Sequence, residues 1–153
     1  MIEGVKIRKL KSIVDYRGRL MELFRSDWPE FKKFGQVYMT TAKPKIAKAW
    51  HYHKQQTDSF LCVLTKVKVV LYDSRSDSKT FKEIMEIVAG EENPMLIQIP
   101  PFVFHGFLGM AEPESIVFNV PTQLYDYKAP DEFRAAFNDP GIGYFWGDGV
   151  TGG

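Results

Sequence analysis

The residues with the most chemistry to offer are three histidines and an aspartate. His51 and His53 stand two apart, Asp58 follows, and His105 is the only other histidine in 153 residues. Two apart on a strand, His51 and His53 project from the same face. Imidazoles with one carboxylate are ligand types that suit a divalent transition metal such as Mn, Fe, Ni or Zn. A neutral imidazole, with an ordinary pKa near 6.5, is equally an available general base at neutral pH. A third reading needs no reaction: a hydrogen-bonded His–Asp pair that lines a metal-free pocket.

Holding such groups requires a scaffold, and the composition points to β structure. Aromatic residues make up 14% of the chain, which suits broad sheets and a lined pocket. A hydrophobic share of 44% excludes a disordered chain, and 25% charged residues exclude a membrane-embedded one. Twenty Lys and Arg against nineteen Asp and Glu leave a net charge of +1, so no nucleic-acid partner is expected. No apolar run approaches the roughly 20 residues that span a bilayer, and the N-terminus turns charged at once. Neither a membrane association nor a signal peptide is expected, and the cytoplasm is the expected location. Cys62, the single cysteine, sits in the apolar run Phe60 to Leu64 and reads as a buried small hydrophobe.

Short β-type runs fill the chain: Val5–Leu10, Leu20–Arg25, Gln36–Ala42, Phe60–Leu64, Val67–Tyr72, Phe81–Val88, Met95–Ile99, Val103–Leu108 and Ser115–Val120. Turn residues such as Tyr16-Arg17-Gly18 and Gly90-Glu91-Glu92-Asn93-Pro94 separate them. Connections this short favour antiparallel pairing in a sandwich or barrel. Two short helices are predicted, one capped at Ser26-Asp27 and running to Lys33, the other starting at Pro130-Asp131-Glu132. Phe102, Phe104 and Phe107 read as core, Tyr125, Tyr127 and Trp146 as pocket walls, and Gly147 to Gly153 as a fraying tail.

The histidine segments resemble the two halves of the cupin signature. The first is His-x-His followed by an acidic residue, here Asp58; the second is the proline-marked turn Ile99-Pro100-Pro101 into the strand of His105. That resemblance implies an all-β fold, an antiparallel double-stranded β-helix (the jelly-roll cupin), with one or two short helices. It would be a single domain over residues 1–153 with its core over residues 5–146. It also implies that a metal, if bound, would be held by His51, His53, Asp58 and His105.

A closer resemblance spans nearly the whole chain. Asp15-Tyr16-Arg17-Gly18 with Met21-Glu22-Leu23-Phe24 resembles the D-x-R-G…E-x-F opening of the dTDP-4-dehydrorhamnose 3,5-epimerase family. Lys48-Ala49-Trp50-His51 stands where that family has R-G-x-H, and Tyr72 to Phe81 resembles its V-D-x-R-x-x-S-x-T-F turn. Ile99 to Phe107, Thr122 to Tyr125 and Asp139 to Trp146 resemble three further family segments in order. The resemblance implies metal-free epimerisation of a nucleotide-diphosphate 4-keto-6-deoxy sugar for polysaccharide or deoxysugar synthesis.

On this resemblance His51 is the catalytic base, and Arg17 and Glu22 belong to the nucleotide-diphosphate site. Lys48 replaces an arginine that faces the substrate, while His105 and the retained Tyr125 also serve the substrate. Asp58 and Asn119 stand at substrate-site positions where the family has a lysine and its proton-donating tyrosine. The family's aspartate partner for the base lies beyond its terminal W-P segment and has no counterpart in this sequence. The alternatives are a metal-dependent cupin enzyme and a non-catalytic cupin that binds sugar nucleotides. A homodimer is expected, because the family pairs N-terminal strands across subunits and exposed edges such as Val5–Leu10 invite it.

Overall fold

The computed structural model describes residues 1–153 and contains thirteen strands and no helix. They are β1 (Lys6–Lys9), β2 (Ser12–Asp15), β3 (Gly18–Met21), β4 (Tyr38–Ala42), β5 (Ile46–Tyr52), β6 (Asp58–Cys62) and β7 (Val67–Asp73). There follow β8 (Ile84–Ala89), β9 (Met95–Ile99), β10 (Val103–Gly109), β11 (Ser115–Asn119), β12 (Phe133–Arg134) and β13 (Thr151–Gly152).

The pairing is nested. β7 pairs with β8, β6 with β9, β5 with β10 and β4 with β11, all antiparallel. Successive pairs alternate between two sheets, so the chain winds as a jelly roll: β1-β9-β6-β11-β4 form one sheet and β12-β5-β10-β7-β8 the other. The expected all-β class and antiparallel winding are therefore present.

Alternation along each strand builds the layers. Val67, Val69 and Leu71 of β7 pack between the sheets against Phe60 and Cys62 of β6, Ile97 and Ile99 of β9, and Val117 of β11. The opposite face of β7, Val70 and Tyr72, is covered by the C-terminal segment through Ile142 and Trp146. The outer face of the first sheet, including Leu61 and Leu96, is covered by Leu23, Phe24 and Trp28. This covering on the first sheet, together with the inner core on its other face, explains why β6 and β9 are buried along their whole length. Cys62 is fully buried in the inner core, as expected.

Several matched segments turn out to be turn chemistry. The Asp73 carboxylate accepts from Arg75 Nε at 2.7 Å, Ser78 Oγ at 2.6 Å and Thr80 Oγ1 at 2.6 Å, closing the loop between β7 and β8. Asp139 Oδ1 accepts the Gly141 amide at 2.8 Å at the head of the C-terminal segment.

Neither predicted helix forms. Over Ser26 to Lys33 the chain makes isolated turns, with Phe31 N–H donating to Trp28 O, because so few residues cannot nucleate a helix. Pro130 to Arg134 is extended, and Phe133–Arg134 pairs with Tyr52 and His51 on the open edge of β5. There Phe133 stacks on Tyr52 with ring centroids 5.0 Å apart. The tail does not fray at Thr151–Gly152, which pairs parallel to Ile46 and Ala47. β2, β5, β12 and β13 are absent from the predicted runs, and Phe81 to Glu83 form a turn rather than strand.

One irregularity aims the site. His105 pairs with His51 and Phe107 with Lys48, so Ala49 and Trp50 together oppose Gly106 in a bulge. The extra residue resets the alternation, and Lys48, His51 and His53 all face the same cavity while Ala49 and Trp50 pack on the outer face. Gly106 has no side chain because a Cβ there would overlap the Ala49 Cβ. Gly106→Ala should therefore cost roughly 1–3 kcal/mol in denaturant unfolding, the usual scale of overpacking. Ala49→Gly in the same chain should recover part of that loss, and additive losses would contradict the contact.

Candidate active site

The cavity opens between the two sheets and has a volume of 480 Å³. Tyr38 and Thr40 of β4 and Phe60 of β6 approach from one sheet; Lys48, His51, His105 and Phe107 approach from the other. Tyr125, Tyr127, Glu132 and Arg134 close the rim.

Beneath it lies Asp58, 1% exposed. Its Oδ1 accepts Gln56 Nε2 and Asn119 Nδ2, each at 2.8 Å. Its Oδ2 faces His53 Nε2 at 3.1 Å and His105 Nε2 at 3.2 Å. The other ring nitrogens are also engaged: His53 Nδ1 donates to Asp131 O, and His105 Nδ1 to Val103 O at 3.1 Å. Burial alone would lower the His53 pKa, but the bond to Asp58 and its charge overcome that and raise it to about 9. Burial would likewise raise Asp58, yet the bonds from His105 and His53 hold it well below the usual carboxylate range.

His51 is treated differently. No hydrogen bond within the protein holds either of its ring nitrogens, and Glu132 Oε1 stands 3.7 Å from Nε2. Burial lowers its pKa to about 4, with His105 adding to the effect and the Glu132 charge opposing it. At neutral pH it is an uncharged imidazole with a nitrogen free to take a proton. Glu132 is itself braced by Arg134 Nη2 at 2.7 Å.

The expected site residues divide accordingly. His51, His53, His105, Lys48 and Tyr125 line the cavity, while Asp58 and Asn119 lie just behind its wall. Lys48 Nζ donates to Thr40 Oγ1 at 2.8 Å. Arg17 and Glu22 do not line the cavity of this chain: Arg17 sits at the tip of the β2–β3 hairpin paired to Asp15, and Glu22 pairs with Arg25. Trp146 is no pocket wall, being buried against Trp50 on the far face of the second sheet.

The four candidate metal ligands do not assemble as a set. His53, Asp58 and His105 bring ligand atoms within 4.8 Å of one another, but His51 stands apart beside Glu132. Both Asp58 oxygens are already shared among four side chains. Sequence reading missed Glu132, hidden in an acidic run that resembled a helix start, and Tyr38, which carries no motif at all.

Comparison with known proteins agrees with the geometry. A family model described as dTDP-4-dehydrorhamnose 3,5-epimerase matches residues 1–152. A probable low-salt glycan biosynthesis epimerase of Haloferax volcanii is 39% identical over 153 residues, covering 99% of this chain and 98% of the relative. A spore coat polysaccharide biosynthesis protein of Bacillus subtilis is 40% identical over 146 residues, covering 95% and 97%. The crystal structure of a dTDP sugar isomerase from Desulfovibrio desulfuricans superposes with a TM-score of 0.88 at 29% identity, covering 95% of this chain and 92% of that one.

The paired charges give stability a pH signature. His53 is favoured protonated in the fold, so its contribution is complete below about 6.5 and is lost as pH rises through about 9. His51 has a depressed pKa, so its contribution is present above about 6.5 and is lost as pH falls towards about 4. Melting temperature should therefore peak near neutral pH and fall on both sides. His53→Gln should flatten the alkaline arm between about pH 7 and 9 in thermal melts, and an unchanged arm would contradict the pairing.

Proposed function

The chain belongs to the dTDP-4-dehydrorhamnose 3,5-epimerase family, and from that premise we propose that it epimerises a nucleotide-diphosphate 4-keto-6-deoxy sugar with His51 as its base. The enzyme class is an epimerase of glycan or polysaccharide biosynthesis, the setting named for both relatives. The observation that carries the base assignment is the contrast among the three histidines. His53 and His105 spend both nitrogens on Asp58 and main-chain carbonyls, whereas His51 faces the cavity neutral and unbonded.

The reaction needs little else. His51 removes the proton alpha to the ketone, with the Glu132 carboxylate steadying the imidazolium that forms. Charge then develops on the ketone oxygen, which requires a nearby donor. Lys48 supplies it: one N–H goes to Thr40, and the remaining donors of its ammonium are available to the cavity. This reading needs no metal.

Arg17 and Glu22 enter the same reading through a homodimer. They stand outside the cavity of their own chain, on or beside a hairpin whose Ile13, Val14 and Leu20 are exposed. To serve the diphosphate they must reach the cavity of a second copy, and a covered hairpin would also hide that apolar surface. Action in the cytoplasm accords with a single unpaired, buried cysteine.

In D2O, deuterium should enter C3 or C5 of a dTDP-linked 4-keto-6-deoxyhexose, followed by NMR or mass spectrometry. His51→Asn should slow that exchange by about 10²–10⁴-fold. Saturable binding without exchange in the native protein would make it a sugar-nucleotide-binding protein instead. Sedimentation at micromolar concentration should show a dimer, and a monomer would remove Arg17 and Glu22 from the site.

A further inference from the structure

An epimerase that removes a proton from one face must return one to the other. The family's tyrosine position is Asn119 here, and an amide cannot protonate carbon. The structure places a phenol beside it. Asn119 of β11 is in register with Tyr38 of β4, and Asn119 Nδ2 donates to the Tyr38 hydroxyl at 2.9 Å.

The direction of that hydrogen bond is forced. Asn119 Oδ1 accepts the Ser59 main-chain N–H at 3.0 Å, so the amide nitrogen must face Asp58 and Tyr38. Asp58 is ionised and can only accept, which fixes the same orientation. The Tyr38 oxygen is therefore the acceptor, and its own O–H has no partner in the protein. Asn119 is fully buried, so the amide is a rigid mount, while the Tyr38 ring lines the cavity.

Building on the epimerase reading, we propose that Tyr38 is the acid that protonates the enolate on the face opposite His51, with Asn119 as its positioning residue. Tyr38 and His51 belong to opposing sheets and line one cavity, so a planar enolate held between them meets the base on one face and the phenol on the other. The alpha C–H bond breaks as His51 takes the proton, and its electron pair moves onto the ketone oxygen. The enolate carbon then takes the Tyr38 hydroxyl proton, forming the new C–H bond and leaving a phenolate. His51 releases a proton to solvent and the phenolate regains one, so nothing is consumed. The Asn119 donor stabilises the phenolate in between.

The other candidates lack this placement. Lys48 reaches across to Thr40 Oγ1, and in the epimerase reading its remaining donors serve the ketone oxygen rather than the alpha carbon. Tyr125 and Tyr127 belong to the rim segment between β11 and β12, their hydroxyls bonded to nothing in the protein, and Tyr127 is 90% exposed. Burial pushes the Tyr38 phenol up to about 12, with the Asp58 charge adding to this and the Asn119 bond opposing it, so the proton is present at neutral pH.

Tyr38→Phe removes only the hydroxyl and separates this proposal from the reading beneath it. With a dTDP-linked 4-keto-6-deoxyhexose in D2O, inversion at the reacting carbon should fall about 10²–10⁴-fold. Deuterium should still enter that carbon with retained configuration, because His51 continues to remove and return a proton on its own face. Asn119→Ala should lower kcat about 10–10²-fold with KM unchanged, since the phenol is present but no longer held. Inversion by Tyr38→Phe within threefold of the native rate would overturn the proposal, as would loss of exchange and inversion in equal proportion. Native protein that exchanges no deuterium would sink the epimerase reading itself, and this proposal with it.

Discussion

The cavity is organised by one buried carboxylate. Asp58 is ionised in a place with almost no water, which is tolerable only because Gln56, Asn119, His53 and His105 all converge on it. Those four contacts also set the orientation of the Gln56, Asn119, His53 and His105 side chains. Removing one partner of a buried charged pair typically costs about 3–5 kcal/mol, so these side chains are held as a unit rather than individually. Two histidines are held as structural donors, and of the three only His51 keeps both ring nitrogens free of hydrogen bonds within the protein.

This arrangement explains how the departures from the family pattern fit together. An aspartate where the family has a lysine could not survive in the core by itself. It is compensated by His53 and His105 across the cavity wall and by Asn119 at the family's tyrosine position. On the proposed reading the cation facing the ketone is Lys48, three residues before His51, and the phenol is Tyr38 on the strand that pairs with β11. The carboxylate beside His51 is that of Glu132, carried inward by the short strand β12 against β5.

What the sequence determined by itself was the class of fold and the family. Alternating apolar runs and turn residues specify strands locally, and short connections leave only antiparallel pairing. The segment from Tyr72 to Phe81 was readable because its partners are at most seven residues apart: Asp73 accepts from Arg75, Ser78 and Thr80 within one loop. His51 was legible through its spacing to His53 and through motif order.

Only the tertiary structure decided the helices, the separation of the histidines and the identity of the remaining groups. Pro130 to Arg134 has the residues of a helix start, but an open edge on β5 and the Tyr52 ring offered more than an isolated turn could. The bulge opposite Gly106 changes which side chains face inward, and no local pattern in Lys48 to His51 announces it. His51 and Glu132 are 81 residues apart in sequence, as are Tyr38 and Asn119, and each pair meets through strand pairing. Partners that distant are fixed by register between strands, which is a property of the assembled sheets and not of any one segment.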